Sequence, residues 1–264
     1  MKNDLPLLAV LIDADNIPAK HVDAIFTEIT SFGEPSVRRI YGDFSSPHSK
    51  KWSETLADHA IVPFHQPANT VGKNASDIAL VIDGMDLLHS GRVDGFVLVS
   101  SDSDFTRLAS RIREQGLPVY GVGERKTPAA FRKACKRFIF IENIASGGET
   151  PGPVPFEKEA ANPLLQSNLN PAPKKEPMQE AIAKDPPSKS VPLINAAMRS
   201  IDTEDGWYIL GPVGQKLMAD NPDFDARSYG CPNLSTLLEE TGQFLVDRSS
   251  KTIRVRRIHN GGKP

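Results

Sequence analysis

The sequence predicts an α/β protein: a parallel sheet with helices on both faces, followed by a small domain of three helices and a hairpin. Three observations predict it. Over the first 145 residues, short apolar runs suited to strands buried on both faces alternate with amphipathic helical stretches. Between Pro151 and Pro187 there are nine prolines and one aromatic, Phe156, a composition that cannot bury enough apolar surface to offset its ordering entropy. The last part closes on a segment that alternates apolar and basic residues. The expected organisation is a first domain at 1–145, a Pro-rich flexible linker at 146–188 and a second domain at 189–264.

Each element has its own signal. Leu7–Ile12 is a continuous apolar run, read as a central strand. Pro18 suits a first helical turn, and Val22, Ile25, Phe26 and Ile29 then recur at helical spacing. Val37–Tyr41 is a second strand; Trp52, Leu56 and Ala60 fit a second helix; Ile61–Phe64 is a third strand. Ile78, Val81, Ile82 and Met85 mark the buried stripe of a third helix. Gly95–Ser100 is a buried strand, and Phe105, Leu108, Ala109 and Ile112 line a fourth helix that Gly116 ends. Leu117–Tyr120 and Phe138–Ile141 complete the sheet. In the second domain, Leu193, Ala196, Ala197 and Ile201, then Val213, Leu217 and Met218, then Leu234, Leu237 and Leu238 give three helices. Phe244–Asp247, a turn at Arg248–Lys251 and Thr252–Ile258 give the hairpin of a winged helix.

Composition narrows the function classes. The 264 residues carry a net charge of −2, so contact with nucleic acid has to come from a local patch. Cys135 and Cys231 cannot build a disulfide framework or a Cys-rich zinc site, and the usage fits a reducing, cytoplasmic setting. No apolar run approaches the ~18 residues of a membrane span. The run Leu5–Ile12 leads into Asp13-Ala14-Asp15-Asn16, which is not a signal-peptide cleavage site.

In an open parallel sheet, ligands gather outside the carboxyl ends of the strands. Asp13 and Asp15 directly follow the first strand, and Asp102 and Asp104 follow Gly95–Ser100. Asp77 opens the third helix, about 40° round from Val81. Carboxylates gathered in one cleft stay ionised together only if they share a cation, and oxygen ligands select a hard ion such as Mg²⁺ or Mn²⁺. Such an ion implies hydrolysis of a phosphodiester or phosphomonoester, with Asn16 as a neutral ligand or an orienter of water. Each acid also has a bland role, because Asp15, Asn16, Asp102 and Asp77 stand where helix caps and first turns need acceptors. Six histidines show no zinc spacing, and Gly121-Val122-Gly123 lacks the third glycine of a dinucleotide loop. The run Arg125, Lys126, Arg132, Lys133, Lys136 and Arg137 is either a solvated helix face or a rim that contacts RNA phosphates.

Three ordered motifs resemble the NYN domain, the PIN-like nuclease group with LabA-type members: the apolar strand with Asp13-x-x-Asn16, Lys73-x-x-x-Asp77-x-Ala79-Leu80, and Val97-Leu98-Val99-Ser100-x-Asp102-Ser103-Asp104-Phe105. The resemblance implies a PIN-like fold in which Asp13, Asp77, Asp102 and Asp104 hold Mg²⁺ or Mn²⁺ for endonucleolytic RNA cleavage, with Asn16 assisting. Ser101 stands where the group usually has glycine, and Asp15 is left out of the set. A haloacid-dehalogenase-like phosphatase also begins with Asp-x-Asp but wants Thr or Val where this chain has Ile17. A non-catalytic adaptor that binds RNA or protein is the other alternative.

The stretch Phe224-Asp225-x-Arg227-x-Tyr229-Gly230-Cys231-x-x-Leu234-x-x-Leu237-Leu238 resembles the OST-HTH or LOTUS domain, which implies RNA binding or, in some such domains, a protein helix as partner. Arg248, Lys251, Arg254, Arg256 and Arg257 put five cations in ten residues with no acid among them, either a phosphate-contacting wing or a charged, solvated edge strand. The linker predicts two parts with no fixed mutual geometry, the first supplying chemistry and the second affinity. No membrane partner is expected.

Overall fold

β1 (Leu7–Asp13) has six of its seven residues buried, and the first half of the chain is assembled around it. The computed structural model describes residues 5–45, 50–65, 75–145, 184–201, 203, 205–249 and 252–258. β2 (Glu34–Gly42), β3 (Val62–His65), β4 (Gly95–Val99), β5 (Val119–Gly123) and β6 (Arg137–Phe140) join β1 in one parallel sheet of order β3-β2-β1-β4-β5-β6. The chain therefore winds outward to β3, crosses back past β1 to β4, and winds outward again. Alternate residues of β1 feed two cores. Leu8, Val10 and Ile12 pack with Ile25 and Ile29 of α1 (Val22–Ile29). Ala9 and Leu11 face Leu80 of α3 (Ala75–Ser90) and Leu108 of α4 (Thr106–Glu114). α2 (Lys50–Thr55), α5 (Ala129–Ala134) and α6 (Ile141–Ile144) complete this part.

Three local expectations change. The buried face of α3 is Leu80, Gly84, Leu87 and Leu88, whereas Ile78 and Ile82 are exposed. Gly84 allows the helix to ride close, since a Cβ there would stand 3.3 Å from Leu11. Asp83, pointing the same way, accepts hydrogen bonds from Tyr41 and Arg39 of β2. α2 ends at Thr55, and Leu56 and Ala60 lie in the turn that follows, with Ala60 at φ 51°. Gly121 and Gly123 sit inside β5: a Cβ on Gly121 would lie 2.4 Å from the Phe138 ring, so these glycines serve strand packing.

The second part contains α7 (Val191–Arg199), β7 (Tyr208–Ile209), α8 (Leu210–Asp220), α9 (Leu234–Glu240), β8 (Phe244–Asp247) and β9 (Arg254–Arg257). Its three-stranded antiparallel sheet has the order β7-β9-β8; β7, only two residues long, lacks a sequence signal. Ile194, Val213, Leu217, Leu237, Leu238 and Val255 form its core.

The two parts touch along β6, the edge of the large sheet. The Phe138 N–H donates to the Pro222 carbonyl (2.8 Å), which covers a donor that an edge strand otherwise leaves open. Asn143 Nδ2 donates to Ser228 Oγ (2.8 Å), and Arg132 pairs with Asp223. Arg227 reaches across with both Nη atoms to the two oxygens of Glu28 on α1 (3.0 and 2.9 Å) while its Nη2 also donates to Asp225 (2.7 Å). Glu28 is only 3% exposed. The sequence left the mutual geometry open; in the structure these pairs hold the two parts against each other. Most of the expected linker, at 146–183, lies outside the described residues.

Removing one partner of a buried, bidentate pair strands the other charge, at a cost of about 3–5 kcal/mol. Arg227→Met is therefore expected to destabilise the full chain by roughly that amount in urea unfolding. Glu28→Gln combined with Arg227→Met should cost less than Arg227→Met alone, because the more deeply buried of the two stranded carboxylates is then neutral.

Candidate active site

The sheet order reverses between β1 and β4, and the crevice outside the carboxyl ends at such a reversal is where open α/β sheets bind ligands. The parallel register pairs Ile12 with Val99, so the next residues, Asp13 and Ser100, end side by side. Asp13 is 1% exposed and its carboxylate is fully engaged. One oxygen accepts the N–H groups of Asp15 (3.1 Å) and Asn16 (3.3 Å). The other accepts Asn16 Nδ2 and Ser100 Oγ, both at 2.7 Å. Burial raises the pKa of Asp13 above the ordinary carboxylate range; the hydrogen bonds from Ser100 and Asn16 work against that rise. Asp13 is thus a rigid, oriented carboxylate at the floor of the crevice.

Asp77, in the first turn of α3, faces the same crevice. Its pKa is pushed up to about 6, first by burial and then by the charges of Asp13, Asp102, Asp104 and Asp15. Those influences are all negative, so the five carboxylates share one field. Asp15 belongs to this group through its charge and through Ser76 Oγ, which donates to it (3.1 Å). The capping reading also holds in part: Asp102 accepts the Asp104 N–H (2.9 Å) at the start of the turn leading into α4. Asn16 does not stand apart as a ligand; its amide steadies Asp13. Ser100 is a site residue that sequence reasoning passed over, and its signal was its place at the end of β4 opposite Asp13. It also accepts the Asp102 N–H (3.0 Å), tying the two acidic segments together. Lys73 lies outside the described residues. Among the described residues, no three His, Cys, Asp or Glu side chains stand close enough to hold a metal ion as a closed cluster. The Ile17 side chain is fully buried and its carbonyl accepts Trp52 Nε1 (2.8 Å), so it offers nothing to a phosphatase-type substrate.

The basic residues separate into groups. In the second part, Arg248 pairs with Glu239 (2.9 Å) and Arg254 with Asp247 (2.6 Å), acids that the linear stretch does not contain. Arg254 and Arg256 both lie over the Trp207 ring, at 5.5 and 4.7 Å, on the face opposite the buried Val255. Arg257 is exposed. Lys251 lies outside the described residues. Of the run after β5, Arg125 and Arg132 serve the contact between the two parts: Arg125 donates to Asn143 and to the Ser228 carbonyl, and Arg132 pairs with Asp223. Cys135 and Cys231 are free and buried. Among the described residues no helix is long and apolar enough to cross a membrane.

Comparison with known families matches residues 7–142 to the NYN domain and residues 182–255 to the OST-HTH/LOTUS domain. No curated protein matches the chain. A crystal structure of a protein of unknown function from Vibrio parahaemolyticus is similar at 19% identity and a TM-score of 0.44, covering 53% of this chain and 96% of that one, a likeness that carries no functional information. NYN is a nuclease-type domain and OST-HTH an RNA-binding module. With the doubly wound sheet, the carboxylates at its reversal and a matched span of more than half its length, the chain belongs to the NYN domain family and carries a C-terminal OST-HTH/LOTUS domain.

Proposed function

We propose that the chain is a divalent-metal-dependent endoribonuclease that hydrolyses RNA phosphodiesters at the crevice between β1 and β4. The observation that carries this reading is the convergence of Asp13, Asp15, Asp77, Asp102 and Asp104 on one crevice, where burial first and then the charges of the other four push Asp77 up to about 6. A phosphodiester cannot approach five carboxylates unless a cation stands between them. The donor set fits Mg²⁺ or Mn²⁺: it is all oxygen, and such ions keep several waters and need only one or two direct carboxylates, so a closed protein cage is not required. Asp13, Asp77, Asp102 and Asp104 would hold the ion. When bound, it supplies a contact to the phosphate oxygen and lowers the pKa of an attacking water.

The chain's own residues do the rest. Ser100 and Asn16 fix both oxygens of Asp13. Ser76 restrains Asp15 at the mouth. The segment from Ser100 to Asp104 is held as one unit by the Ser100 and Asp102 side-chain acceptors, so the two later acids move together. RNA is the substrate class because the second domain is of an RNA-binding type. A non-catalytic adaptor would not need the carboxylates, which gives the experiments their discriminating power.

Cleavage of labelled RNA is expected with Mg²⁺ or Mn²⁺ and to vanish in EDTA. Asp13→Asn should lower turnover by at least about 10²-fold without unfolding the chain. Wild-type rates in that variant would show Asp13 to be structural only.

Asp77 gives a test that needs no RNA. Its folded pKa of about 6 exceeds the ordinary 3.8, so ionising it costs stability, absent below about pH 3.8 and fully present above about pH 6. Asp77→Asn should therefore raise Tm at pH 8 and have little effect at pH 4. Added Mn²⁺ should raise the wild-type Tm more at pH 8 than at pH 5, and should do so less in Asp77→Asn.

The wing's contribution should be uneven. Arg256→Ala with Arg257→Ala is expected to weaken RNA binding, measured by fluorescence anisotropy, more than Arg248→Ala with Arg254→Ala, because the latter two cations already have carboxylate partners.

A further inference from the structure

The end of the sheet opposite the carboxylates has a feature that the cleavage reading does not use. A groove of about 920 Å³ opens where the amino ends of β5 and β6 meet α8 of the second domain. Arg113, Lys133, Lys136 and Arg137 line one side, Leu117 and Pro118 belong to its apolar lining, and Met218 and Ala219 of α8 belong to the other side. Lys133 and Lys136 are exposed, and among the described residues neither pairs with a carboxylate. Arg113 is spent on carbonyls, those of Lys133 (3.4 Å) and Ala134 (3.1 Å), so its charge is not cancelled by an acid there. Arg137 has an ion pair with Glu28 at 3.9 Å and lies over the Phe32 ring (5.1 Å), and Phe32 stacks on Tyr120 (4.6 Å), which lays a cation and two rings in layers along the wall. The one acid of the groove, Asp220, pairs with Lys216 (2.7 Å). A chain with a net charge of −2 thus keeps four cations around one open, partly apolar groove.

We infer that this groove binds a single-stranded segment of RNA away from the bond that is cleaved, and that it exists only while the two domains are docked. The inference rests on RNA being the substrate. The exposed Lys133 and Lys136 along an open groove with aromatic and apolar walls combine backbone attraction with surfaces for base faces, the chemistry of single-strand binding. A duplex hides its base faces and has no use for the apolar floor. Position excludes a direct part in cleavage. The five residues of β5 separate its amino end from the crevice end by about 16 Å. RNA occupying both places has to run past the edge of the sheet, so the groove measures length: it gains from substrates several nucleotides longer than the crevice alone requires.

The experiment uses the full chain in EDTA, so that binding is read without turnover, and a fluorescein-labelled oligouridylate of about 16 nucleotides, the upper end of ordinary single-strand site sizes. Lys133→Ala with Lys136→Ala should reduce the slope of log affinity against log salt by about 1.4, two phosphate contacts on a single strand. Met218→Glu, from the opposite wall and with no cation lost, should also weaken binding, by at least about tenfold at low salt. With metal restored, both variants should raise KM for the long RNA and leave kcat unchanged. A wild-type slope in the lysine variant overturns the inference and makes these lysines a solvated face. A reduced slope with unaffected binding in Met218→Glu also overturns it, because the charges then act without the groove. Binding that behaves as expected in a chain that never cleaves RNA sustains the groove and removes the nuclease reading.

Discussion

A carboxylate taken out of water needs donors at hydrogen-bond distance, and Glu28 finds charged ones on a residue 199 positions away. Glu28 sits on α1, among the helices of the first domain, and the cation its own domain brings, Arg137, stands at 3.9 Å, beyond hydrogen-bond distance. Arg227 stands within it, with the planar fork that matches a carboxylate, while Asp225 holds the guanidinium from the other side. The rest of the arrangement between the domains follows from this pair. With Arg227 anchored, Pro222 lies along β6 and Ser228 lies against Asn143. α8 then forms the second wall of the groove.

The crevice uses the opposite electrostatic strategy. Each charge at the domain contact is matched, whereas the acids at the end of the sheet crowd one another. Asp13 is fully ordered by donors, and those donors are neutral, so they orient it without cancelling its charge. The repulsion that adds to burial in lifting Asp77 is the residue of that choice. Such a site is stable because few acids are involved and most are partly solvated, and it is receptive because whatever cation enters relieves several repulsions together.

The sheet, most helix positions and the four main acids were legible because their signals are local: buried strands read as apolar runs, and an acid just after such a run stands at the strand's carboxyl end. What was not legible depends on partners distant in the chain. The apolar stripe Ile78, Val81, Ile82 and Met85 has good helical spacing, yet α3 turns Leu80, Gly84, Leu87 and Leu88 inward, because Gly84 permits the close approach and Asp83 must reach Tyr41. Ser100 looked like the last residue of a strand until the register set it beside Asp13. The wing looked acid-free along the chain, but Glu239 and Asp247 come to Arg248 and Arg254 through the fold. Arg227 belongs to the signature of its own domain in the sequence, and its use lies in the neighbouring domain.

The hydrogen bond from Phe138 to Pro222 bears on how such a protein can be assembled over evolutionary time. A gene fusion that joins two ready-made modules needs only a tolerable join, and either module can later be replaced. Here the last strand of one module ends its hydrogen-bond ladder on the backbone of the other, and a buried acid of one answers to a base of the other. Replacing the second module would uncover the sheet's edge and remove both short hydrogen bonds from Arg227 to Glu28 at once. The contacts favour inheritance of the two halves as a pair: recombination between relatives should be tolerated when both halves travel together and selected against when the break falls between them.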